Sequence, residues 1–286
     1  MQRAEGELRG RVVILTGATN GIGRATALAL AGMGATLAIV ARDRARGEAT
    51  VAEIRAQTGA VPDLLLADLS SQGSIRKLAA EILARYPRID VLVNNAGVVN
   101  LKREETADGI EATFAVNHLA YFLLTNLLLD RLRASAPARI VNVASDAHKF
   151  VKGLRWDDLG WATGYKSMRV YGQSKLANIL FTRELARRLA GTGVTVNSVH
   201  PGAVSTGLGK QNGWWAAALI KVLGLFFRSP EQGAATSIHL ASSPAVDGVS
   251  GRYFANAKEA RPSRAAEDDA AARRLWDLSM QMTGLG

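Results

Sequence analysis

Short runs of β-branched and other apolar residues alternate along this chain with longer segments whose apolar residues recur every three or four positions. The runs predict strands at Arg11–Thr16, Thr36–Ala41, Asp63–Ala67, Asp90–Val93, Arg139–Ala144, Thr195–His200 and near Arg252–Phe254. The segments between them predict helices at Ile22–Met33, Arg44–Gln57, Gly73–Arg85, Ala107–Leu132, Tyr171–Ala190 and Pro230–Ala241. Strands that are apolar at nearly every position are buried on both faces, so the alternation implies a parallel sheet covered by helices on either side. Right-handed crossovers then give an α/β, Rossmann-type doubly wound sheet of about seven strands. No composition break, repeat or low-complexity linker divides residues 1–286, which are expected to form one domain.

Two local patterns refine this outline. Ser229-Pro230-Glu231-Gln232 has the form of a capped helix start, with Ser at the cap, Pro at the first helical position and Gln three residues after the Ser. The stretch Trp214 to Phe227, WWAAALIKVLGLFF, is apolar but only 14 residues long, too short to span a bilayer. It suits a core helix, an apolar lid over a substrate (an insertion around 205–228), or a weak membrane-surface contact.

Composition narrows the function. The net charge is +10, carried mainly by arginines spread along helices, and no nucleic-acid-binding motif accompanies it, so no nucleic-acid partner is expected. There is no cysteine, which excludes disulfides, thiolate metal sites and a thiol nucleophile. His118, His148, His200 and His239 are dispersed, and no metal site is read from them. The N-terminus carries no signal-peptide apolar run, and a cytoplasmic protein is expected.

Two constellations carry chemistry. ILTGATNGIGRA follows the first strand and opens the first helix, with Gly17, Gly21 and Gly23 spaced as G-x-x-x-G-x-G around Thr19, Asn20 and Ile22. Glycines let the backbone approach a pyrophosphate closely, and the helix N-terminus offers free N–H groups to the anion. At the end of the second strand, Arg42 suits a ribose 2′-phosphate through a charge-assisted fork. Asp43 suits a 2′-hydroxyl but is equally placed to cap the helix from Arg44. That competition favours NADP(H) over NAD(H), with Arg24 a weaker second cation for the phosphate. The other constellation is Tyr171 and Lys175 in YGQSK, one helical turn apart on one face. A cation beside a phenol favours the phenolate, and Lys175 is expected to lower the Tyr171 pKa. Spacing alone does not separate this pair from an ordinary helix-surface pair, and Tyr165 and Arg169 share the same spacing in what reads as a loop; Asn94, likewise, could serve only to tie neighbouring strands.

The motifs TGATNGIG, ADL (67–69), NNAG (94–97), VNHLAYFLLT (116–125), VNVAS (141–145), YGQSK and HPGAVST (200–206) occur in the order seen in short-chain dehydrogenase/reductases, and the chain resembles that family, most closely its retinol dehydrogenase group. The resemblance implies that Tyr171 is the general acid/base, that Lys175 binds the nicotinamide ribose and acidifies it, and that Ser145 holds the substrate oxygen. It implies that Asn117 anchors a water leading from Lys175 to solvent. It places Asp68 and Leu69 beside the adenine, Asn95, Ala96 and Gly97 along the cofactor cleft, and Val204 and Thr206 at the nicotinamide carboxamide. Ala120-Tyr121 departs from the Gly-His usual in the retinol group, and this chain starts almost at its first strand where membrane members of the group carry an anchor. The activity implied is NADP(H)-dependent interconversion of an apolar alcohol and its aldehyde or ketone, in a homo-dimer or homo-tetramer. A catalytically silent NADP-sensing binding protein, and a membrane-surface lipid or retinoid carbonyl reductase, are the alternatives.

Overall fold

The structure is a computed structural model that describes residues 8–202 and 229–286. The expected lid, with Val204, Thr206 and the Trp214–Phe227 stretch, lies outside the described residues. Eight strands form one sheet in the order β3-β2-β1-β4-β5-β6-β7-β8. They are β1 (Val12–Thr16), β2 (Thr36–Ala41), β3 (Asp63–Leu66), β4 (Val91–Asn94), β5 (Ala138–Val143), β6 (Val194–His200), β7 (Tyr253–Ala255) and β8 (Lys258–Glu259). The first seven are parallel, and β8 pairs antiparallel with β7 at the edge. The expected count of about seven misses β8 because two exposed charged residues carry no apolar signal.

The helices are α1 (Gly21–Gly32), α2 (Arg44–Thr58), α3 (Gln72–Arg85), α4 (Ala112–Ala134), α5 (Ser167–Arg188), α6 (Pro230–Ser242) and α7 (Asp269–Met282). Alternate residues of each strand face opposite cores. Val13 and Leu15 of β1 pack with Leu30 of α1, Ile54 of α2 and Leu240 of α6. Val12 and Ile14 pack with Leu78 of α3, Phe122 of α4 and Phe181 of α5. Both faces are therefore dry, as the strand composition required.

Two helix starts and one whole helix differ from the sequence expectation, each for a local reason. Residues 107–111 are a turn, closed by Thr106 N–H donating to the Ile110 carbonyl with Gly109 at φ +72°, and the Glu111 carboxylate then caps α4 by accepting from Thr113 and Phe114 N–H. Helix α5 starts at Ser167, one turn before Tyr171, so Arg169 is helical while Tyr165 lies in the preceding loop. Helix α7 went unread because its apolar stripe is short; Asp268 caps it, and Leu275 and Trp276 bury against the core. Within α4, residues Ala115–Leu119 form a π-helical turn. By length and composition α4 could cross a membrane, but most of it is buried inside the protein, and it is a core helix.

A polar ladder runs through the second core. Asn94 of β4 and Asn142 of β5 are register partners, and Asn94 Nδ2 donates to Asn142 Oδ1 at 2.9 Å and to Thr125 Oγ1 of α4 at 3.0 Å. Asn142 Nδ2 continues to Thr182 Oγ1 of α5 at 3.0 Å. Buried amides demand partners, so this ladder fixes the strand register and ties α4 and α5 to it. Asn94 does tie neighbouring strands.

The docking of α7 is directly testable. The Trp276 ring packs edge-on against Phe122 at 4.9 Å, lies near Phe181 at 6.0 Å and receives the Arg188 guanidinium at 4.2 Å. Trp276→Ala should lower the unfolding free energy by about 3–5 kcal/mol in urea titrations followed by circular dichroism. A loss below about 1 kcal/mol would mean that α7 is not part of the cooperative core.

Candidate active site

Strand order reverses at β1, with β2 and β3 on one side and β4 onward on the other, and the cleft opens at the carboxyl ends of these strands. It measures about 280 Å³. Its first wall is the loop from Gly17 to Gly23, including Thr19, Asn20, Gly21 and Ile22. Gly17 sits at φ +69°, and a Cβ there would fall 2.6 Å from Ala96 Cα. A Cβ on Gly23 would fall 2.1 Å from the Gly17 carbonyl oxygen. Both glycines are thus forced by backbone packing. The second wall, Asn95-Ala96-Gly97, is stapled to the first: Asn95 Nδ2 donates to the carbonyls of Thr16 (2.9 Å) and Gly17 (3.0 Å), while Asn95 and Ala96 N–H both donate to Thr16 Oγ1. Helix α1 begins at this junction with no side-chain cap and no acid in its first turn, which leaves its N–H groups directed at the cleft.

Arg42, Asp68 and Leu69 line the far end. Asp43 caps α2 by accepting from Arg46 N–H at 2.8 Å. Arg24 forms a two-pronged pair with Glu53 of α2. Arg42 is exposed and makes no ion pair among the described residues. The two cations expected near a 2′-phosphate are therefore not equivalent, and only Arg42 is unengaged. Asp68 Oδ1 accepts from both the N–H and the hydroxyl of Ser70, at 2.9 and 2.8 Å.

Tyr171 and Lys175 of α5 close the other end of the same cleft. Lys175 is 3% exposed, and its Nζ donates to the Val143 carbonyl at the end of β5 at 2.9 Å. The Nζ also lies 5.6 Å from the Tyr171 ring and 5.7 Å from the Tyr121 ring. Ser145 follows β5, and its hydroxyl acts on the Tyr171 phenol, favouring the charged form. Asn117 sits in the π turn of α4: its Oδ1 accepts from Val98 N–H at 2.8 Å, and its Nδ2 donates to the Val98 carbonyl and to Ser174 Oγ, both at 3.0 Å. Both amide hydrogens are used, and one Oδ1 lone pair remains for a water. Helix distortions of this kind recur at functional sites.

The structure does not show the acidified phenol expected from sequence. Burial pushes Tyr171 up to about 12, against the opposing hydrogen bond from Ser145. Burial also pushes Lys175 down to about 7, so near neutral pH its charge is only part-formed. Desolvation is the leading cause of both shifts.

Sequence reasoning missed two residues here. Tyr121 lies one turn after Asn117; its hydroxyl donates to the Ala96 carbonyl at 2.8 Å, and its ring faces Lys175. Its sequence signals were its spacing from Asn117 and the Ala120-Tyr121 departure from Gly-His, neither of which assigned it a place in the site. Gly172 is the other: a Cβ there would fall 2.5 Å from the Ala147 carbonyl oxygen, so the residue next to Tyr171 must be glycine for the Ser145 turn to lie against α5. A larger hollow of about 1030 Å³ lies at the opposite ends of the strands. Its arginines are neutralised in place, Arg11 by Asp90, Arg139 by Asp247 and Arg187 by Glu184, and the reactive groups are elsewhere.

Comparison with known proteins agrees with this geometry. The profile of the short chain dehydrogenase family matches residues 11–216. The chain is 47% identical to retinol dehydrogenase 14 of Homo sapiens, over 98% of this chain and 88% of that protein. It is 46% identical to retinol dehydrogenase 13 of Homo sapiens, over 96% and 85%. A solved structure from Mycobacterium paratuberculosis superposes with a TM-score of 0.78 at 33% identity, covering 96% of this chain and 94% of that one. The Pseudomonas aeruginosa RhlG/NADP active-site complex superposes with a TM-score of 0.70 at 29% identity, covering 89% and 97%. The chain belongs to the short chain dehydrogenase family and is an NAD(P)-dependent oxidoreductase that interconverts an alcohol and a carbonyl.

Two measurements follow from the geometry. Gly172→Ala should destabilise the protein by about 1–3 kcal/mol, because the new methyl meets backbone that cannot swing away; an unchanged denaturation midpoint would contradict the close approach. The lysine gives a pH signature. Its folded-state pKa of about 7 lies below its ordinary value of 10.5, so between these values the unfolded chain binds the extra proton and stability rises with pH. Lys175→Met should flatten the stability profile between about pH 7 and 10; a parallel profile in the two proteins would show that Lys175 is not desolvated.

Proposed function

We propose that this member of the short chain dehydrogenase family uses NADP(H), in preference to NAD(H), to interconvert a retinoid-like or other apolar primary or secondary alcohol and its carbonyl. The observation that carries the reading is the meeting, in one cleft, of the glycine cradle with Tyr171 and Lys175. The cradle fits a dinucleotide: a Cβ at Gly17 or Gly23 would collide with backbone there, and the uncapped start of α1 suits a pyrophosphate. When bound, the cofactor supplies or takes up the hydride. In this reading Gly17, Gly21, Gly23, Asn95, Ala96 and Gly97 hold it, and Asp68 and Leu69 flank its adenine. The preference for NADP(H) is supported by Arg42, the unengaged cation, and by Asp43, which is committed to capping α2. A structural relative, RhlG, is an NADP complex.

The chain's own residues move the proton. The Tyr171 hydroxyl gives its hydrogen to a substrate oxygen during reduction and takes it back during oxidation. Ser145 donates to the same oxygen as negative charge develops on it. Lys175 recharges the phenol, and Asn117 holds the Val98 loop and keeps one lone pair for a water on the path to solvent. The apolar substrate is supported by the retinol dehydrogenase relatives and by the apolar composition of the Trp214–Phe227 stretch. A silent cofactor sensor is disfavoured because Tyr171 and Lys175 are retained together in the cleft.

The test is spectrophotometric. NADPH absorbance followed with all-trans-retinal and a panel of apolar aldehydes and ketones should show turnover, and Tyr171→Phe should reduce it about 10²–10⁴-fold. Turnover undiminished in Tyr171→Phe would refute the assignment. Arg42→Asp should weaken NADPH relative to NADH by about 10–100-fold, the worth of one charge-assisted contact; unchanged preference would remove Arg42 from the phosphate site.

A further inference from the structure

The turn that carries Ser145 is gripped from outside the cleft by groups that the proposed chemistry does not use. Ser145 is the last extended residue before a short 3₁₀ turn, Asp146–Phe150, and its hydroxyl accepts from Ala147 N–H at 3.1 Å. Its carbonyl accepts from His148 N–H at 3.1 Å and also meets His148 Nδ1 at 2.6 Å. On the other side of the imidazole, the Ser263 N–H reaches Nε2 at 3.0 Å. His148 is fully buried. Its ring is packed edge-on against Tyr253 at 5.3 Å, and the Tyr253 hydroxyl donates to Asp146 Oδ1 at 2.9 Å.

These contacts fix the state of the ring. A main-chain N–H can only donate, so Nε2 must be the acceptor. In a neutral imidazole the hydrogen then resides on Nδ1, which donates to the Ser145 carbonyl. Burial lowers the His148 pKa and keeps the ring neutral, as an acceptor at Nε2 requires. A single tautomer therefore links two segments 115 residues apart in sequence: the Ser145 turn after β5 and the Ser263 segment that leads from β8 to α7.

We propose that His148 is a positioning residue: it fixes the peptide plane of Ser145, and hence the aim of the Ser145 hydroxyl, against the C-terminal segment at Ser263. This deepens the proposed function, since it rests on Ser145 holding the substrate oxygen. The imidazole touches neither substrate nor cofactor in this assignment. It sets a hydroxyl whose misplacement by about 1 Å is enough to lower the rate on the order of 100-fold.

Three variants divide the two halves of the link. In His148→Asn, the side-chain amide nitrogen takes the place of Nδ1 and still reaches Ser145, while the acceptor for Ser263 is lost. In His148→Gln, the amide oxygen takes the place of Nε2 and accepts from Ser263, while the Ser145 bond is lost. His148→Phe keeps the bulk and loses both. With all-trans-retinal and NADPH as probes, Phe and Gln should lower kcat about 10–100-fold with KM for retinal and Kd for NADPH within about twofold of the parent. Asn should restore kcat to within about fivefold. Equal activity of Asn, Gln and parent would overturn the assignment, as would losses in which KM and NADPH affinity fall in step with kcat. If Phe fails to fold, the Asn–Gln contrast still decides. If the parent turns over no carbonyl, the functional reading fails, but the link is judged separately by side-chain ¹⁵N resonances. A protonated Nδ1 and bare Nε2 on His148 support it, and the opposite tautomer refutes it.

Discussion

Lys175 carries an ionisable amine into the protein at the carboxyl end of β5, where its Nζ donates to the Val143 carbonyl. Much of the local architecture answers to that placement. Water is largely excluded there, so the charged form needs oxygen and aromatic partners, and it finds one carbonyl and the faces of Tyr171 and Tyr121. These partners do not fully offset desolvation, which is why the amine titrates near neutrality. A cofactor-binding cleft thus contains a base and a phenol whose proton affinities are set by what enters beside them. Burial holds the phenol protonated near neutral pH.

The same end of the sheet shows how the position is held. The Asn94–Asn142–Thr182 ladder locks β4, β5 and α5 into one register, and Asn178, one turn before Thr182, also donates to the Val143 carbonyl at 3.2 Å. A slip of one residue between β4 and β5 would separate the Asn94–Asn142 pair and leave buried amides unpaired. Specificity of register and placement of the lysine are therefore one property. Asn117 works similarly from α4, where the π turn directs its amide at Val98 and Ser174 and ties the NNAG wall to the helix of Tyr171.

Close approach is the second requirement. Gly17, Gly23 and Gly172 each occupy a place where any side chain would strike backbone, and together they bring the phosphate loop, the NNAG wall and the Ser145 turn against one another. The cleft is narrow because its walls are bonded to each other as well as to the sheet. Ser145 is held on one side by α5 and on the other by the imidazole that reaches Ser263, so a segment near the C-terminus takes part in shaping a site built from strand ends.

Much of this was legible in the chain itself. Apolar strands alternating with amphipathic helices dictate the doubly wound sheet, because only burial on both faces suits such strands. The glycine spacing after β1, the Tyr171–Lys175 interval and the Asp43 cap are local patterns, and local geometry reproduces them. What sequence could not supply depends on distance in space. Strand β8 has too few residues for a period and is recognisable only from its pairing with β7. That Arg24 is committed to Glu53 while Arg42 is not is a matter of which helices meet. The proton affinities of Tyr171 and Lys175 go against the expectation drawn from their spacing, because desolvation is set by the whole surrounding core. Spacing placed the two groups on one face of a helix, and only the tertiary packing decided how dry that face would be.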